Sequence, residues 1–411
     1  MKKIFLFETP SDAVGHGIGT YANQLIEALA EKESFFKLYF VKIVFNEADD
    51  FSVRPINANV DEVKISFKDK IIKPNVEVPI KPILARKIFC LLGEFFNNPT
   101  DTVFHLNFVL QYELGKLARE YDFKLIYTNH VSLWRVFYEN DYEKFLKEWS
   151  DRTPKDDKEK VRITSIQFEK RIYQIANHVI CLNEDSKSFM KEYYSEDAAE
   201  KISVIANGLN LKSLVKKLNV VAQKKKMGFG EEDFIFLFTG RMNKQKGLDL
   251  LIKTFGKLLK KIPNAKLLIV GAGDFGVYTK MCADFCARVV FSGYVDKSKI
   301  NNYYAIADVG MVPSFTEQSS YVVLEMLANQ LPIIVSDIPA FAKPFEDKLN
   351  VIKVKTDTLG RVDEKSLSAQ MLALYQNQQL RMKLSKNGQL LFNQHFTAEQ
   401  MAEKTLQLYL S

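Results

Sequence analysis

Short apolar runs alternate with stretches of helical spacing along the chain, and this pattern limits the possible folds more than any other feature. In the first half the runs are "KIFLF" (3–7), "LYFVKIVF" (38–45), "DTVFHLN" (101–107) and "FKLIYTNH" (123–130). In the second half they are "FIFLFTGR" (234–241), "AKLLIVGAG" (265–273), "RVVFSGYV" (288–295), "VGMVPS" (309–314) and "LPIIVSD" (331–337). Helical stretches such as "GTYANQLIEALAEK" (19–32) and "LDLLIKTFGKLLKK" (248–261) lie between them, and "RIYQIANHVICLNEDSKSFMKEYY" reads as helix, strand, helix. A strand that is apolar on both faces needs cover on both faces, and a helix between successive strands supplies it. The pattern therefore predicts parallel sheets in α/β layers. Two such sets predict two doubly wound domains.

The chain has 411 residues, a length that suits two domains. With 47% hydrophobic and 26% charged residues, it has material for two cores and does not read as disordered. A net charge of +7 is only mildly basic, which argues against a dedicated nucleic-acid binder. The opening "MKKIFLFETPSD" carries too short an apolar run for a signal peptide and reads as a first strand. No run reaches the roughly 18 apolar residues of a membrane span, so the expected location is the cytosol. Four cysteines, at 90, 181, 282 and 286, suit a reducing compartment. Cys282 and Cys286 stand one helical turn apart but have no His or Cys beside them to complete a metal site, so a buried or inert role is expected.

The domain boundary is placed after "SVIANGLN" (203–210). There "LKSLVKKLNVVAQKKK" (211–226) holds six lysines and no acid, a charge run that reads as a linker. A second unusual stretch, "KISFKDKIIKPNVEVPIKPILARKIF" (64–89), mixes Lys, Pro and large apolar residues. It reads either as a solvated loop region or as a basic, partly apolar surface for an anionic membrane or a lipid-linked acceptor.

Chemistry concentrates at two strand ends. In "GRMNKQKG" (240–247), Gly240 allows a sharp turn, and Arg241 and Lys246 follow it at the carboxyl edge of a sheet. They are either two surface cations at a helix start, where the dipole disfavours them, or a cradle for a diphosphate. In "SFTEQSSYVVLEMLANQ" (314–330), Ser319 and Ser320 are placed to cap a helix beginning near Tyr321, whose first-turn N–H groups suit a phosphate. Glu325 lies inside that helix among Val322, Val323, Leu324, Met326 and Leu327. It needs a partner, either a lysine or the hydroxyls of a sugar. "VGAGDFG" completes G-x-G-x-x-G with Gly271, Gly273 and Gly276, but no acidic ribose ligand follows at the end of the next strand, so a nicotinamide reading is not favoured.

Together, Arg241 and Lys246 as R-x(4)-K and Glu317 and Glu325 as E-x(7)-E resemble glycosyltransferase family 4. "SVIANGLN", "LLIVGAG" and "VVFSGYV" stand where that family has similar stretches, and residues 200–350 carry most of the likeness. "GHGIGTYANQLIEALA" (15–30) and "YTNH" (127–130) are similar to the family's first Gly-rich loop and its T-x-H stretch. Two departures stand out: Gln318 replaces a frequent Gly, and "IPAFAK" (338–343) replaces a loop that often carries paired glycines.

The resemblance implies a GT-B fold of two Rossmann-like domains facing across a cleft. It implies an acceptor domain over 1–208, a linker over 209–232, a nucleotide-sugar domain over 233–388 and a terminal helix in 389–411 packing back on the first domain. It also implies a retaining transfer from a UDP- or GDP-linked sugar to a glycan, lipid-linked or peptide acceptor, in polysaccharide or glycoconjugate synthesis. Arg241 and Lys246 inherit the diphosphate, with Gly240 at the turn. Glu317 inherits the donor sugar, and Glu325 the ribose. Gly293, Tyr294 and Val295 inherit the base. Gln318, Ser319, Ser320 and Tyr321 offer backbone N–H groups, His130 reaches the donor sugar, and Gly17 and Gly19 approach the phosphate and acceptor. His105 is a weaker candidate. No D-x-D pair stands in a convincing place, so neither a metal nor another cofactor is expected. The alternatives are a GT-B sugar-nucleotide epimerase and a non-catalytic nucleotide-sugar-binding partner of another transferase.

Overall fold

Burial on both faces decides the strand arrangement. The computed structural model describes residues 1–8, 17–32, 35–45, 47–68, 80–96, 98–151, 154–194, 199–210 and 219–411. The chain divides into two units: Met1–Tyr138 with Tyr142–Gly208 and Ala398–Ser411, and Leu209–Thr397 with Glu139–Asp141.

The first unit holds β1 (Lys2–Phe7), β2 (Phe36–Phe45), β3 (Asp50–Pro55), β4 (Val60–Phe67), β5 (Thr102–Leu106), β6 (Lys124–Asn129), β7 (His178–Cys181) and β8 (Ile202–Val204). Among the described residues they form one sheet in the order β3-β4-β2-β1-β5-β6-β7-β8. Every pairing is parallel except β3 with β4. That exception departs from the expected all-parallel sheet. β3 is largely exposed, joins β4 through a tight turn in which Asn57 accepts from the N–H groups of Asn59 and Val60, and closes the sheet edge as a hairpin. The stretch 64–89 is accordingly not one loop. Its start is the end of β4, its end lies in the helix Pro82–Leu92, and residues 69–79 lie outside the described residues.

The second unit holds β9 (Phe234–Thr239), β10 (Ala265–Val270), β11 (Val289–Gly293), β12 (Val309–Val312), β13 (Ile333–Ser336) and β14 (Ile352–Val354). Their order is β11-β10-β9-β12-β13-β14, all parallel. Every residue of β9, β12 and β13 is buried, as strands covered by helices on both faces must be. Each unit has its own apolar cluster, one around Phe5, Phe104 and Tyr173, the other around Phe236, Leu251 and Ile269. Part of the lysine-rich stretch is helical, at Val220–Lys226, where the Lys224 ammonium is buried and donates to the carbonyls of Glu231 and Asp233. Residues 211–218 of it lie outside the described residues. Cys282 is buried with its thiol donating to the Tyr278 carbonyl, and Cys286 is exposed and free. Among the described residues no helix is long and apolar enough to cross a membrane.

The last helix, Ala398–Leu410, belongs to the first unit. It lies along the helix Gly17–Ala30, with Lys32 paired to Glu403 at 2.8 Å. The Tyr409 hydroxyl meets His105 Nδ1 at 2.6 Å, and His105 Nε2 meets Thr128 Oγ1 at 2.7 Å. Burial pushes the His105 imidazole down to about 3. His105 is thus a neutral core histidine with both ring nitrogens engaged.

A buried carboxyl braces the end of β6. Glu169, on the helix Asp157–Ile175, accepts from Asn129 Nδ2 at 2.6 Å and from the Tyr194 hydroxyl. Burial, opposed by these two hydrogen bonds, raises its pKa from 4.5 to about 7. A raised carboxyl favours the protonated fold. That contribution is complete below about 4.5 and is lost as pH rises through about 7. Glu169→Gln keeps the position neutral. Its stability relative to the parent chain should therefore climb between pH 5 and pH 8, by up to ~3 kcal/mol. Urea unfolding at a series of pH values measures this, and a flat difference would contradict the assignment.

Candidate functional site

In an open parallel sheet, ligands sit beyond the carboxyl ends of the strands, where the strand order reverses. In the second unit that reversal lies between β9 and β12, since β10 and β11 continue on one side and β13 and β14 on the other. The turn leaving β9 carries Arg241 and Lys246, and the loop leaving β12 carries Glu317 to Ser320. Both sequence motifs thus flank one switch point.

Two backbone contacts hold the turn and the loop together. The Gln245 carbonyl accepts the Phe315 N–H at 2.8 Å. Gly247 has φ +69, and a Cβ there would come within 2.1 Å of the Pro313 carbonyl oxygen. Only glycine fits so close an approach in this conformation. Just before it, Lys244–Lys246 form a short 3₁₀ turn capped by Asn243, whose side chain accepts from the Lys246 N–H. The Lys246 ammonium then reaches Glu317 Oε1 at 2.5 Å. Arg241 follows Gly240 (φ +140) and is exposed.

The neighbouring strands end in the same manner. Gly271 follows β10, and a Cβ there would lie 1.8 Å from the Gly240 carbonyl oxygen, while its N–H donates to the Gly293 carbonyl at 2.9 Å. The G-x-G stretch is thus accounted for by close packing against the turn after β9, where Met242 also bridges to Gly273. Gly293 has φ +74, Tyr294 beyond it is 62% exposed, and Val295 is half-buried.

The helix Tyr321–Ala328 begins after the β12 loop. Ser320 stands at its N-cap, but its hydroxyl makes no capping hydrogen bond, contrary to the capping expected from the sequence. Among the described residues Glu325 forms no close ion pair, and the partner it holds is a phenol. Its Oε2 accepts from the Tyr304 hydroxyl at 2.5 Å. Burial pushes the Glu325 carboxyl up, against the Tyr304 hydrogen bond and the charge of Lys297. Sequence reasoning missed Tyr304. The residue stands 21 positions before Glu325 on another helix, and nothing in the local pattern links them.

The remaining candidates lie in the first unit, whose sheet reverses between β1 and β5. His130 follows β6, and its Nε2 lies 3.0 Å from Asn107 Oδ1. Asn107 Nδ2 donates to the Phe7 carbonyl, which turns Oδ1 toward the histidine. The proton therefore sits on Nε2, and Nδ1 is left as an acceptor. Tyr21 packs edge-on at 4.6 Å, and burial pushes the imidazole down to about 3. His130 is a neutral ring that can accept a hydroxyl hydrogen. Asn107, which orients it, was not singled out from sequence. Gly17 is exposed at the start of the helix Gly17–Ala30, Gly19 lies beside Glu8, and residues 9–16 of the preceding loop lie outside the described residues.

Residues 220–391 match the family described as Glycosyl transferases group 1. An uncharacterised glycosyltransferase of Methanocaldococcus jannaschii is 33% identical over 180 residues, which cover 41% of this chain and 45% of that protein. The chain spans under half the length of the first curated relatives it matches. Sucrose-phosphate synthase from Thermosynechococcus elongatus superposes with a TM-score of 0.78 at 22% identity, covering 100% of this chain and 98% of that one. Anabaena HepE, solved with UDP and glucose, gives 0.72 at 15% identity, covering 99% of each. The chain has the two-unit GT-B fold, and residues 220–391 of its second unit are similar to the group 1 glycosyl transferases.

Gly247→Ala should separate the two loops at the switch point. Clash with Pro313 and a positive φ together should destabilise the second unit by at least ~1 kcal/mol. Urea unfolding reads this directly, and an unchanged midpoint would show that the contact does not hold the loops.

Proposed function

We propose that the chain is a retaining glycosyltransferase that moves a hexose from a UDP- or GDP-linked sugar to a glycan, lipid-linked or peptide acceptor. The observation that carries this reading is the Lys246–Glu317 pair, a cation and a carboxylate 2.5 Å apart at the switch point of the second unit, within the residues similar to the group 1 glycosyl transferases. One sugar phosphate needs both: a cation for the leaving diphosphate and a carboxylate beside the sugar. That HepE was solved with UDP and glucose supports a nucleotide-sugar donor.

In this reading Arg241 and Lys246 hold the diphosphate, and the N-terminus of the helix Tyr321–Ala328 adds its dipole, with Gln318 to Tyr321 offering backbone N–H groups. These groups, in place of a metal, meet the negative charge that builds as the bond from the anomeric carbon to the phosphate oxygen breaks. The acceptor oxygen forms its bond to that carbon on the same face, and its proton passes to the departing phosphate. Glu317 positions the sugar and favours the positive charge on the anomeric centre. Glu325 accepts a ribose hydroxyl, and Gly293, Tyr294 and Val295 meet the base. In the first unit, His130 offers Nδ1 to a sugar hydroxyl, and Gly17 and Gly19 line the approach of the acceptor. A lipid-linked acceptor is favoured by the helix Pro82–Leu92, where Ile83 and Leu91 are exposed beside Arg86 and Lys87. We place the reaction in the cytosol, with that helix touching the membrane surface.

The test is thermal stabilisation by UDP, GDP and their sugars, with and without chelator, followed by transfer assays. One base should raise the melting temperature with or without chelator. Lys246→Ala should cost at least ~1 kcal/mol of diphosphate affinity, as expected for a charge-assisted contact. Arg241→Ala should abolish the shift, and Glu317→Ala should bind nucleotide but not transfer. Stabilisation without transfer to any acceptor would favour the non-catalytic partner, and epimerised donor without transfer would favour the epimerase. No stabilisation by any nucleotide would overturn the reading.

A further inference from the structure

Tyr304 lies on the helix Lys297–Ile306 and is 2% exposed. A phenol so deeply buried must spend its one proton well. It donates to Glu325 Oε2 at 2.5 Å, while its oxygen lies 3.3 Å from Thr239 Oγ1, the last residue of β9. With the phenol proton on Glu325, Thr239 is the donor in the second contact. The result is a relay from Thr239 to Tyr304 to Glu325, anchored on the strand end that continues into Gly240 and Arg241.

This relay divides the two carboxylate oxygens. Oε2 is held by Tyr304. Oε1 takes no hydrogen bond from the described residues, although Glu325 stands half-buried in a largely apolar helix. A carboxylate in that position has unspent acceptor capacity, and a hydroxyl donor relieves the cost of burying it.

We propose that Tyr304 is a positioning residue that fixes the Glu325 carboxylate with Oε1 turned outward, and thereby makes the site select ribonucleotide over 2′-deoxyribonucleotide donors. The inference rests on the donor reading above and deepens it by naming the part of the donor that is discriminated. A flexible glutamate would rotate to meet whichever hydroxyl remained on a deoxyribose. One whose second oxygen is pinned cannot, so a missing hydroxyl leaves Oε1 buried and unpaired.

The test is titration calorimetry of the full chain with UDP, GDP and their 2′-deoxy counterparts, alongside donor kinetics. The parent chain should favour the ribonucleotide by about tenfold or more. Tyr304→Phe keeps the ring, and should weaken the ribonucleotide by about tenfold while changing the deoxynucleotide by less than about twofold, so the preference collapses. The loss should fall on the donor KM and not on kcat. Glu325→Gln, with Tyr304 intact, should collapse the same preference and serves if Tyr304→Phe fails to fold. An equal loss for both nucleotides, or a preserved preference, would mean that Tyr304 is merely structural. These outcomes leave the donor reading intact, whereas a parent chain that binds no nucleotide removes that reading and this one together.

Discussion

The site depends on one close approach, the Cα of Gly247 against the carbonyl of Pro313. Two loops that leave β9 and β12 on opposite sides of the strand-order reversal would otherwise diverge. The missing side chain lets them meet, and the Phe315 N–H to Gln245 carbonyl bond fixes their register. Lys246 and Glu317 are then neighbours because the backbone has already brought their loops together. The ion pair is a result of this packing: both side chains are largely buried, and the cost of desolvating two charges offsets most of their attraction.

The two glutamates of the second unit have different surroundings, and this divides their chemistry. Glu317 faces a cation, so its charge is met within the second unit itself. Glu325 faces a phenol among apolar neighbours, and burial works against its ionised form. One carboxylate is suited to stand beside developing positive charge, the other to accept hydrogens from neutral hydroxyls. The first unit applies similar economy to histidine. Asn107 and Phe7 settle which nitrogen of His130 carries the proton, and burial keeps the ring neutral.

Much of this architecture was legible in the sequence because strand burial leaves a direct record. Runs such as "FIFLF" and the "IIV" of "LPIIVSD" contain no polar residue where one face would be wet, and they lie in fully buried strands. The edge hairpin was not legible, because β3 is mostly exposed and lacks an apolar run. The lysines of 211–226 looked like a solvated linker, yet Lys224 is buried, since two carbonyls seven and nine residues later accept its protons. The partners of the candidate residues were the least legible. Tyr304 and Asn107 meet Glu325 and His130 only through the sheet order, and no local spacing encodes that. Serine before a helix suggested a cap, but the Ser320 side chain makes no capping hydrogen bond.

The return of the chain to its first unit has a consequence for biosynthesis. Residues 398–410 emerge from the ribosome after the whole of 209–397 has been made, at about 5–20 residues per second, a delay on the order of ten to forty seconds. During that interval His105 lacks the hydroxyl of Tyr409, and the flank of Gly17–Ala30 lacks its covering helix. The second unit, contiguous apart from three residues contributed earlier, can close first. The order of completion is thus the reverse of the order of translation, and a newly made first unit is an open structure until the last helix arrives.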